Sequence, residues 1–222
     1  MSFRALIFDF NGLIIDDEPI HCLCAQKALE PHEITLADRD YWEIYLGFDD
    51  KGLFEQIFKR SGKKLQPKIL KELIDAKHKA YLHELEKNCR FFPGVVAFIG
   101  KMKPRHRMAI VSGALRSEID LVLTKGKLGK SFDVIVSADD TRHGKPDPEG
   151  FMIGLAKLKK IDPEVRPENC LVLEDSHAGI EAAKRAGMKT CALTHTYPKD
   201  QFGDADIVVS SFEELISDPR LT

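Results

Sequence analysis

Six polar or charged side chains lie at or beyond the ends of short apolar runs in the sequence: Asp9, Asn11, Ser112, Lys145, Glu174 and Asp175. Carboxylates that are buried side by side are stable only with a cation or with a shifted pKa. Carboxylate oxygens with room for water are the ligands that Mg²⁺ prefers. The three carboxylates in this set therefore predict a magnesium site, provided that the fold brings them together.

The remaining groups of the set suit an anion. The Ser112 hydroxyl and the backbone N–H groups of Gly113 and Ala114, close to the start of a predicted helix, can donate to phosphate oxygens. Lys145 adds a positive charge. A carboxylate nucleophile, a metal, a hydroxyl and an ammonium group together predict phosphoryl transfer through a phosphorylated aspartate.

The apolar runs are typical of strands that are buried on both faces of a sheet. They cover residues 4–10, 107–113, 132–138, 169–175, 190–194 and 206–210. Helical patterns separate several of them, at 115–125, from Asp147 and Pro148 onward, and at 176–186 before Gly187. This alternation predicts a parallel α/β sheet. Ligands of such sheets bind at the carboxyl ends of the strands, so we expect the polar side chains to converge there.

Residues 16–91 interrupt this alternation. They contain helical patterns at 18–29, 36–46, 50–60 and 67–87 and no convincing strand. We therefore predict an α/β core of residues 1–15 and 92–222 with an inserted all-helical domain of residues 16–91. We expect Trp42 and Phe48 in the core of this insertion.

The composition excludes several classes of protein. The chain has 222 residues, and no apolar run reaches the ~18 residues that span a bilayer, so we expect no membrane partner. A net charge of −2 provides no field for nucleic acid. Five cysteines without a C-x-x-C pair argue against a disulfide framework, and the first strand begins too early for a signal peptide. We expect a cytoplasmic protein that is a monomer or a weak homodimer.

Four segments, in this order, resemble motifs of the haloacid dehalogenase superfamily, in particular its β-phosphoglucomutases and related small-molecule phosphatases. The segments are DFNGLIIDDEP, VSGA, GKPDP and LEDSHAGIEAAKRAGM, and the resemblance extends over nearly the whole chain. It implies a Rossmann-like core of parallel strands with a helical cap inserted after the first strand. It also implies that the protein is a hydrolase.

The same resemblance implies a role for each residue of the set. Asp9 would be the nucleophile, and Ser112 and Lys145 would bind phosphate. Mg²⁺ would be held by Asp9, the backbone carbonyl of Asn11 and Asp175, with Glu174 as a further ligand or as a partner of the ligands. His21 and Lys77 resemble cap positions that meet the substrate in phosphoglucomutases, although a solvated helix face is the alternative for each.

Asn11 departs from the family pattern, because the phosphatases carry an aspartate there as general acid and base. An amide can orient a water molecule but cannot exchange protons, and loss of such a group typically lowers the rate by roughly 10²- to 10⁴-fold. We therefore expect slow turnover unless a nearby group substitutes. The candidates are Asp16, Asp17, Glu18 and His21, among which the sequence does not choose.

The leading hypothesis is a Mg²⁺-dependent phosphohydrolase or phosphomutase that acts on a small phosphorylated metabolite, such as a sugar phosphate. A second hypothesis is a phospho-ligand binding or regulatory protein that has lost efficient turnover at Asn11. A third is dehalogenase-type attack of Asp9 on carbon, which needs no metal and leaves Glu174 and Asp175 without a role. A response-regulator receiver carries its acidic pair before the nucleophile, whereas here the pair follows it.

Overall fold

The computed structural model describes residues 3–221, which divide into two compact units. The α/β unit comprises residues 3–16 and 90–221, and the helical unit comprises residues 17–89. The boundaries lie within one or two residues of those of the predicted insertion, 16–91.

The α/β unit is built on one sheet, whose six described strands all run parallel. They are β1 Ala5–Phe8, β2 Arg107–Val111, β3 Val134–Val136, β4 Cys170–Glu174, β5 Lys189–Leu193 and β6 Ile207–Val209. Their order in the sheet is β3-β2-β1-β4-β5-β6. The chain therefore builds outward from β1 on one side and then from β4 on the other. The predicted parallel sheet is confirmed, and its order reverses between β1 and β4, where ligands of such sheets bind.

The helices follow in chain order. They are α1 Glu18–Leu29, α2 Asp38–Asp40 with a π-helical turn Tyr41–Tyr45, α3 Asp50–Arg60, α4 Pro67–Lys87, α5 Val95–Met102, α6 Arg116–Lys125, α7 Glu149–Ile161, α8 His177–Arg185 and α9 Phe212–Ile216. Short 3₁₀ turns lie at Glu30–His32, Ala138–Asp140, Pro167–Asn169, Lys199–Gln201 and Pro219–Leu221. No predicted helix corresponded to α5 or α9. The segment VVAFIGKM of α5 is apolar almost throughout its first half, so its period is hard to read.

Apolar side chains cover the sheet on two faces. Ile7 and Val172 belong to a buried cluster that includes Phe151 of α7. Phe8 packs against other aromatic rings. Its ring centroid lies 6.0 Å from that of Phe98 in α5, and the ring centroid of Phe98 lies 5.3 Å from that of Phe212 in α9. Full burial of each such side chain contributes about 1.5–3 kcal/mol. This packing on two faces fixes the strand ends that carry the polar groups.

The helical unit has its own core, to which Leu29 of α1, Phe54 of α3 and Leu73 of α4 belong. The expectation that Trp42 and Phe48 lie in this core is wrong, since they are 42% and 47% exposed. The segment from residue 41 to residue 45 is a π-helical turn, which buries Tyr41 and Tyr45 instead. A π-helical turn changes which side chains face inward.

In residues 3–221 no helix is both long enough and apolar enough to cross a membrane. The five cysteines all lie in this described part of the chain and are free thiols.

Candidate active site at the carboxyl edge of the sheet

Three carboxylates meet where the strand order reverses. Asp9 directly follows β1, while Glu174 ends β4 and Asp175 follows it. The backbone N–H of Asp9 donates to the carbonyl oxygen of Leu173 at 3.0 Å, which holds the two strand ends side by side. Ligand oxygens of the three carboxylates lie within 4.8 Å of one another. The residues are 8%, 0% and 5% exposed, so little water is available to solvate their charges.

Lys145 is the cation that faces this cluster. Its Nζ donates to Asp9 Oδ1, and to Glu174 Oε1 at 2.5 Å. Burial lowers the pKa of Lys145, but the carboxylates of Asp9 and Glu174 raise it more, so that it lies above the ordinary value for lysine. The ammonium group therefore stays protonated at neutral pH and offsets one of the negative charges.

The loop that carries Lys145 is fixed by the residue that opens α7. One oxygen of Glu149, Oε2, accepts from the backbone N–H groups of Arg142 and His143 at 2.9 and 2.8 Å. Asp147 Oδ1 accepts from the N–H of Glu149 at 2.9 Å. Ligand atoms of His143, Asp147 and Glu149 also lie close to one another, but the two carboxylates already accept backbone hydrogen bonds that hold the loop. Sequence reasoning missed this role of Glu149.

Burial and mutual repulsion shift the pKa values of the carboxylates. Burial raises the pKa of Asp9 to about 7, with Lys145 lowering it and the charge of Glu174 raising it. Burial also raises the pKa of Asp175 well above its ordinary value, and the charges of Asp9 and Glu174 add to the effect. Without a further cation, a substantial part of Asp9 is protonated at neutral pH and cannot act as a nucleophile.

Glu174 makes hydrogen bonds through both of its oxygens. While Oε1 accepts from Lys145, Oε2 accepts from the Ser176 hydroxyl at 2.8 Å and from the Ser176 N–H at 3.3 Å. The Ser176 hydroxyl also accepts from the N–H of Gly179 and thereby caps α8. The resemblance left two roles open for Glu174, a metal ligand or a partner of the ligands. These hydrogen bonds favour the second role, in which Glu174 orients Lys145.

Ser112 and Asn11 are neighbours at the ends of β2 and β1. The Ser112 hydroxyl donates to the side-chain oxygen Oδ1 of Asn11 at 3.4 Å and accepts from the N–H of Ala114 at 3.0 Å. Ser112 and Ala114 are buried, whereas Gly113 between them is exposed. Helix α6 begins only at Arg116, so Gly113 and Ala114 lie in the loop before it rather than in its first turn.

Gly12 makes the closest backbone approach to the carboxylates. It has a φ of +73°, which favours glycine, and a Cβ atom at this position would collide with the carboxylate of Asp175. His195 and Thr196, which lie after the end of β5, also contact Gly12 and Asp175. His195 Nδ1 lies 3.0 Å from Gly12 O, and the Thr196 hydroxyl donates to Asp175 Oδ2. Sequence reasoning missed His195 and Thr196, although they follow a predicted strand, as Asp9, Ser112 and Asp175 do.

His21 and Lys77 lie in the helical unit, where they contact each other. Lys77 is only 4% exposed and donates to Asp50 Oδ1 and to His21 Nδ1, the latter at 3.1 Å. A solvated helix face is therefore excluded for Lys77. An ammonium group can only donate, so Nδ1 of His21 is the acceptor and the ring proton lies on Nε2, 3.3 Å from Asp17 Oδ2.

The other candidates for the missing acid and base have partners as well. Asp16 forms an ion pair with Arg90 at 3.2 Å in the α/β unit. In the helical unit, the buried carboxylate of Asp17 accepts from the Tyr81 hydroxyl, and Glu18 accepts from the Tyr41 hydroxyl at 2.6 Å. A role for any of them in proton transfer stays a prediction.

The donor set of the α/β unit fits a hard divalent cation. Oxygens that share one Mg²⁺ lie roughly 3 to 4 Å apart, and those of Asp9 and Asp175 belong to a group within 4.8 Å. Burial, with the charges of the neighbouring carboxylates, raises the pKa values of both residues, and a cation between them would favour their ionised forms. Asp9 and Asp175 are the carboxylates best placed to hold one.

Comparisons with known proteins show the family and the fold of this chain. The family described as haloacid dehalogenase-like hydrolase matches residues 6–193. The protein YhcW of Bacillus subtilis strain 168 is 32% identical over 96% of this chain and 93% of its own. The phosphorylated carbohydrates phosphatase of Thermotoga maritima is 28% identical over 84% of this chain and 82% of its own. The crystal structure of CbbY from Rhodobacter sphaeroides in complex with phosphate has a TM-score of 0.84 at 22% identity and covers 96% of both chains, which shows a shared fold.

Proposed function

Because the chain belongs to the haloacid dehalogenase-like hydrolase family, we propose that this hydrolase is a Mg²⁺-dependent phosphatase or phosphomutase whose nucleophile is Asp9. One observation carries the proposal. The carboxylate of Asp9 lies at the reversal point of the sheet, with the ammonium group of Lys145 on one side and a second acid, Asp175, in the same cluster. A nucleophile, a cation and a candidate metal ligand are thus held by three separate strand ends or loops.

In the proposed reaction, a carboxylate oxygen of Asp9 forms a bond to phosphorus while the bond from phosphorus to the ester oxygen breaks. The electron pair of that bond leaves with the ester oxygen. Lys145 is held protonated by its carboxylate partners and stabilises the negative charge of the phosphoryl oxygens. When bound between Asp9, Asp175 and the backbone carbonyl of Asn11, Mg²⁺ would supply the positive charge that keeps the nucleophile ionised. Ser112 and the backbone N–H of Gly113 complete the proposed phosphate site, whereas the N–H of Ala114, which was also expected there, donates to the Ser112 hydroxyl. Water then hydrolyses the phosphorylated Asp9.

Asn11 makes this reaction slow in the proposal. Proton donation to the leaving oxygen and proton removal from the attacking water both need an acid or base, and the Asn11 amide is neither. Substrates whose leaving oxygen is a stable anion need the donated proton least. Hydrolysis of phosphorylated Asp9 should then limit the rate, unless another side chain relays the proton.

We propose a phosphorylated sugar as the substrate class. The relative from T. maritima is named a phosphatase of phosphorylated carbohydrates, and it matches most of this chain. His21 and Lys77 are proposed as substrate contacts from the helical unit, in which they form a defined polar group rather than separate surface side chains. Cytoplasmic location, a monomer or weak homodimer, and no nucleic-acid partner stay predictions.

Asn11 also supports a second candidate function. A protein that kept the phosphate site but hydrolyses phosphorylated Asp9 very slowly would act as a phospho-ligand binding or regulatory protein. The hydrogen bond from Ser112 to Asn11 Oδ1 holds the amide in one orientation, which suits binding as well as it suits catalysis.

A screen of phosphate release distinguishes the two functions. Sugar phosphates, acyl phosphates and nucleotides are incubated with the protein in Mg²⁺ and, in parallel, in EDTA, with Asp9→Ala as the control. The proposed enzyme releases phosphate from at least one sugar phosphate, only with Mg²⁺ and only with Asp9. Saturable binding without release favours the regulatory function, and EDTA-insensitive release by the native chain contradicts the metal-dependent mechanism.

A further inference from the structure

The segment that follows β5 turns back toward the carboxylate cluster. The N–H of Thr194 donates to Val209 O at 3.0 Å and so continues the pairing with β6. The N–H of His195 then donates to Leu193 O at 2.9 Å, which closes a tight turn of three residues. This turn gives the side chains of its last residue, His195, and of the next residue, Thr196, contacts with different parts of the site.

Thr196 contacts the second carboxylate of the cluster. Its hydroxyl donates to Asp175 Oδ2, and both residues are at least partly buried. A hydroxyl that donates to one oxygen of a carboxylate fixes the rotation of that carboxylate about its last bond. The direction in which Asp175 presents its other oxygen, Oδ1, is therefore set by Thr196.

His195 contacts the backbone beside the first carboxylate. A carbonyl oxygen can only accept, so Nδ1 of His195 carries the proton and donates to Gly12 O. On its other side, the N–H of Gly12 donates to Ile15 O at 2.9 Å, which holds the peptide group that contains the Asn11 carbonyl. His195 holds the next peptide group, which contains the Gly12 carbonyl, and so limits the rotation of Gly12 between the two. The His195 ring is also stacked on Phe92, with the ring centroids 3.9 Å apart and the planes 8° from parallel.

We infer that His195 and Thr196 are positioning residues of the metal site, with Thr196 orienting the Asp175 carboxylate and His195 orienting the Asn11 carbonyl through Gly12. The inference rests on the proposed function, because it needs Asp175 and Asn11 to be metal ligands. Neither side chain touches phosphorus or the leaving group in this role. Their effect is to preorganise two ligands contributed by two different strand ends.

Side chains that orient metal ligands typically change metal affinity or activity about 10- to 100-fold when they are replaced. The test therefore measures Mg²⁺ affinity by isothermal titration calorimetry on the full chain without substrate. Thr196→Val removes the hydroxyl and keeps the shape, whereas Thr196→Ser keeps the hydroxyl. Thr124→Val is the matched control, since the Thr124 hydroxyl bonds to a backbone carbonyl in the exposed part of α6.

We expect Thr196→Val to raise the Kd for Mg²⁺ by about 10- to 100-fold. Thr196→Ser and Thr124→Val should stay close to the native value. His195→Leu should weaken Mg²⁺ binding. His195→Asn should bind Mg²⁺ more tightly than His195→Leu, because its amide can still donate to Gly12 O. The melting temperature of each variant in EDTA reports on folding alone and should change little in Thr196→Val.

Asp175→Ala separates this inference from the function on which it rests. If Asp175→Ala abolishes Mg²⁺ binding while Thr196→Val and His195→Leu bind as tightly as the native chain, the positioning role is wrong and the proposed metal site stands. If Asp175→Ala binds Mg²⁺ normally, the metal site and the positioning role are both wrong. A lowered melting temperature in EDTA with an unchanged Kd assigns Thr196 a structural role only and also overturns the inference.

Discussion

The hydroxyl of Ser112 donates a hydrogen bond to the side-chain oxygen of Asn11 across the ends of two neighbouring strands, at 3.4 Å. A carboxylate at position 11 could accept the same hydrogen bond in the same place. The native environment of Asn11 is therefore compatible with the acid and base that the family resemblance implies at this position.

Asn11→Asp should accelerate phosphate release. The new carboxyl group can exchange protons with the leaving oxygen and with the attacking water, so we expect kcat to rise by at least ~10-fold, which equals about 1.4 kcal/mol of barrier. The measurement is kcat on p-nitrophenyl phosphate and on the best sugar phosphate, with mass spectrometry of phosphorylated Asp9. Ser112→Ala serves as the comparison that removes the hydrogen bond without adding an acid. An unchanged rate, together with no trapped intermediate in the native chain, would mean that another side chain already relays the proton.

Asp9→Asn should abolish phosphate release without unfolding the protein. The amide has nearly the same shape as the carboxylate but is not a nucleophile, and it removes a buried negative charge from the cluster. We expect no phosphorylated protein by mass spectrometry and a melting temperature in EDTA at least equal to that of the native chain. Residual release at the native rate would assign the nucleophile to another residue.

The stabilising contribution of Asp9 to the metal-free protein should decrease as the pH rises from about 5.5 to about 7.5. The pKa of Asp9 is raised to about 7 in the folded state, against about 4 in the unfolded chain. Between these values the folded state binds more protons, so the free energy of unfolding falls as the pH rises through this window and levels off above the folded pKa. Mg²⁺ competes with the proton and should raise the melting temperature more at pH 8 than at pH 6.

Asp9→Asn removes the contribution of Asp9 to this pH dependence, together with the part of the raised pKa of Asp175 that the charge of Asp9 causes. Burial lowers the pKa of His106 and of His195, and this effect has the opposite sign, because neutral buried histidines favour the folded state as the pH rises. Both histidines remain in Asp9→Asn and cancel when the variant is compared with the native chain. Melting temperatures in EDTA from pH 5.5 to 8 give the comparison, and identical pH profiles of the two proteins would contradict the raised pKa of Asp9.

Lys145→Met should impair both stability and activity. It leaves Asp9 and Glu174 facing each other in a buried site, so we expect a loss on the order of 3 kcal/mol in the free energy of unfolding without metal. Removal of the charge that stabilises the phosphoryl oxygens should lower kcat by about 10²-fold. Lys157→Met is the control, because Lys157 pairs with Asp140 in an exposed ion pair at 2.9 Å that contributes at most about 1 kcal/mol. Equal losses of stability in the two variants, by urea denaturation, would count against a special role for Lys145.

Lys77→Ala and His21→Ala should change the use of the substrate and leave binding of a bare phosphate mimic intact. The two side chains contact each other in the helical unit, so we expect each variant to raise KM or to lower kcat. Lys79→Ala, on the exposed side of α4, is the matched control. Kinetics on the best sugar phosphate are compared with binding of beryllium fluoride. If all three variants have native kinetics, His21 and Lys77 do not meet the substrate.

Periodicity and strand-end chemistry were readable in the sequence because they are local properties. Runs of apolar residues with polar residues directly after them placed β1 and β4, and with them Asp9, Glu174 and Asp175, at the carboxyl edge of a parallel sheet. The resemblance over four motifs predicted the family, which is confirmed. The helical patterns of the insertion likewise correspond to α1, α3 and α4, and the apolar side chains of α3 and α4 lie mainly on one face of each helix.

Tertiary structure decided the features that depend on side chains far apart in the chain. Lys145 and Asp9 are 136 positions apart in the sequence but form a hydrogen bond in the structure. Only this contact shows that each charge shifts the pKa of the other residue. Glu174 could be a ligand or a partner by sequence, and its hydrogen bonds to Lys145 and Ser176 favour the second. By sequence, a solvated helix face was the alternative for Lys77, and its burial beside Asp50 excludes that alternative.

His195 and Thr196 show the same limit most clearly. The strand before them was weak in the sequence, and neither residue type is diagnostic of a metal site. Their importance comes from the tight turn after β5, which carries them to Gly12 and Asp175, 183 and 21 positions away. A sequence records which groups can donate a hydrogen bond, whereas the acceptor is chosen by the packing of the strands, because hydrogen bonds act only over about 3 Å.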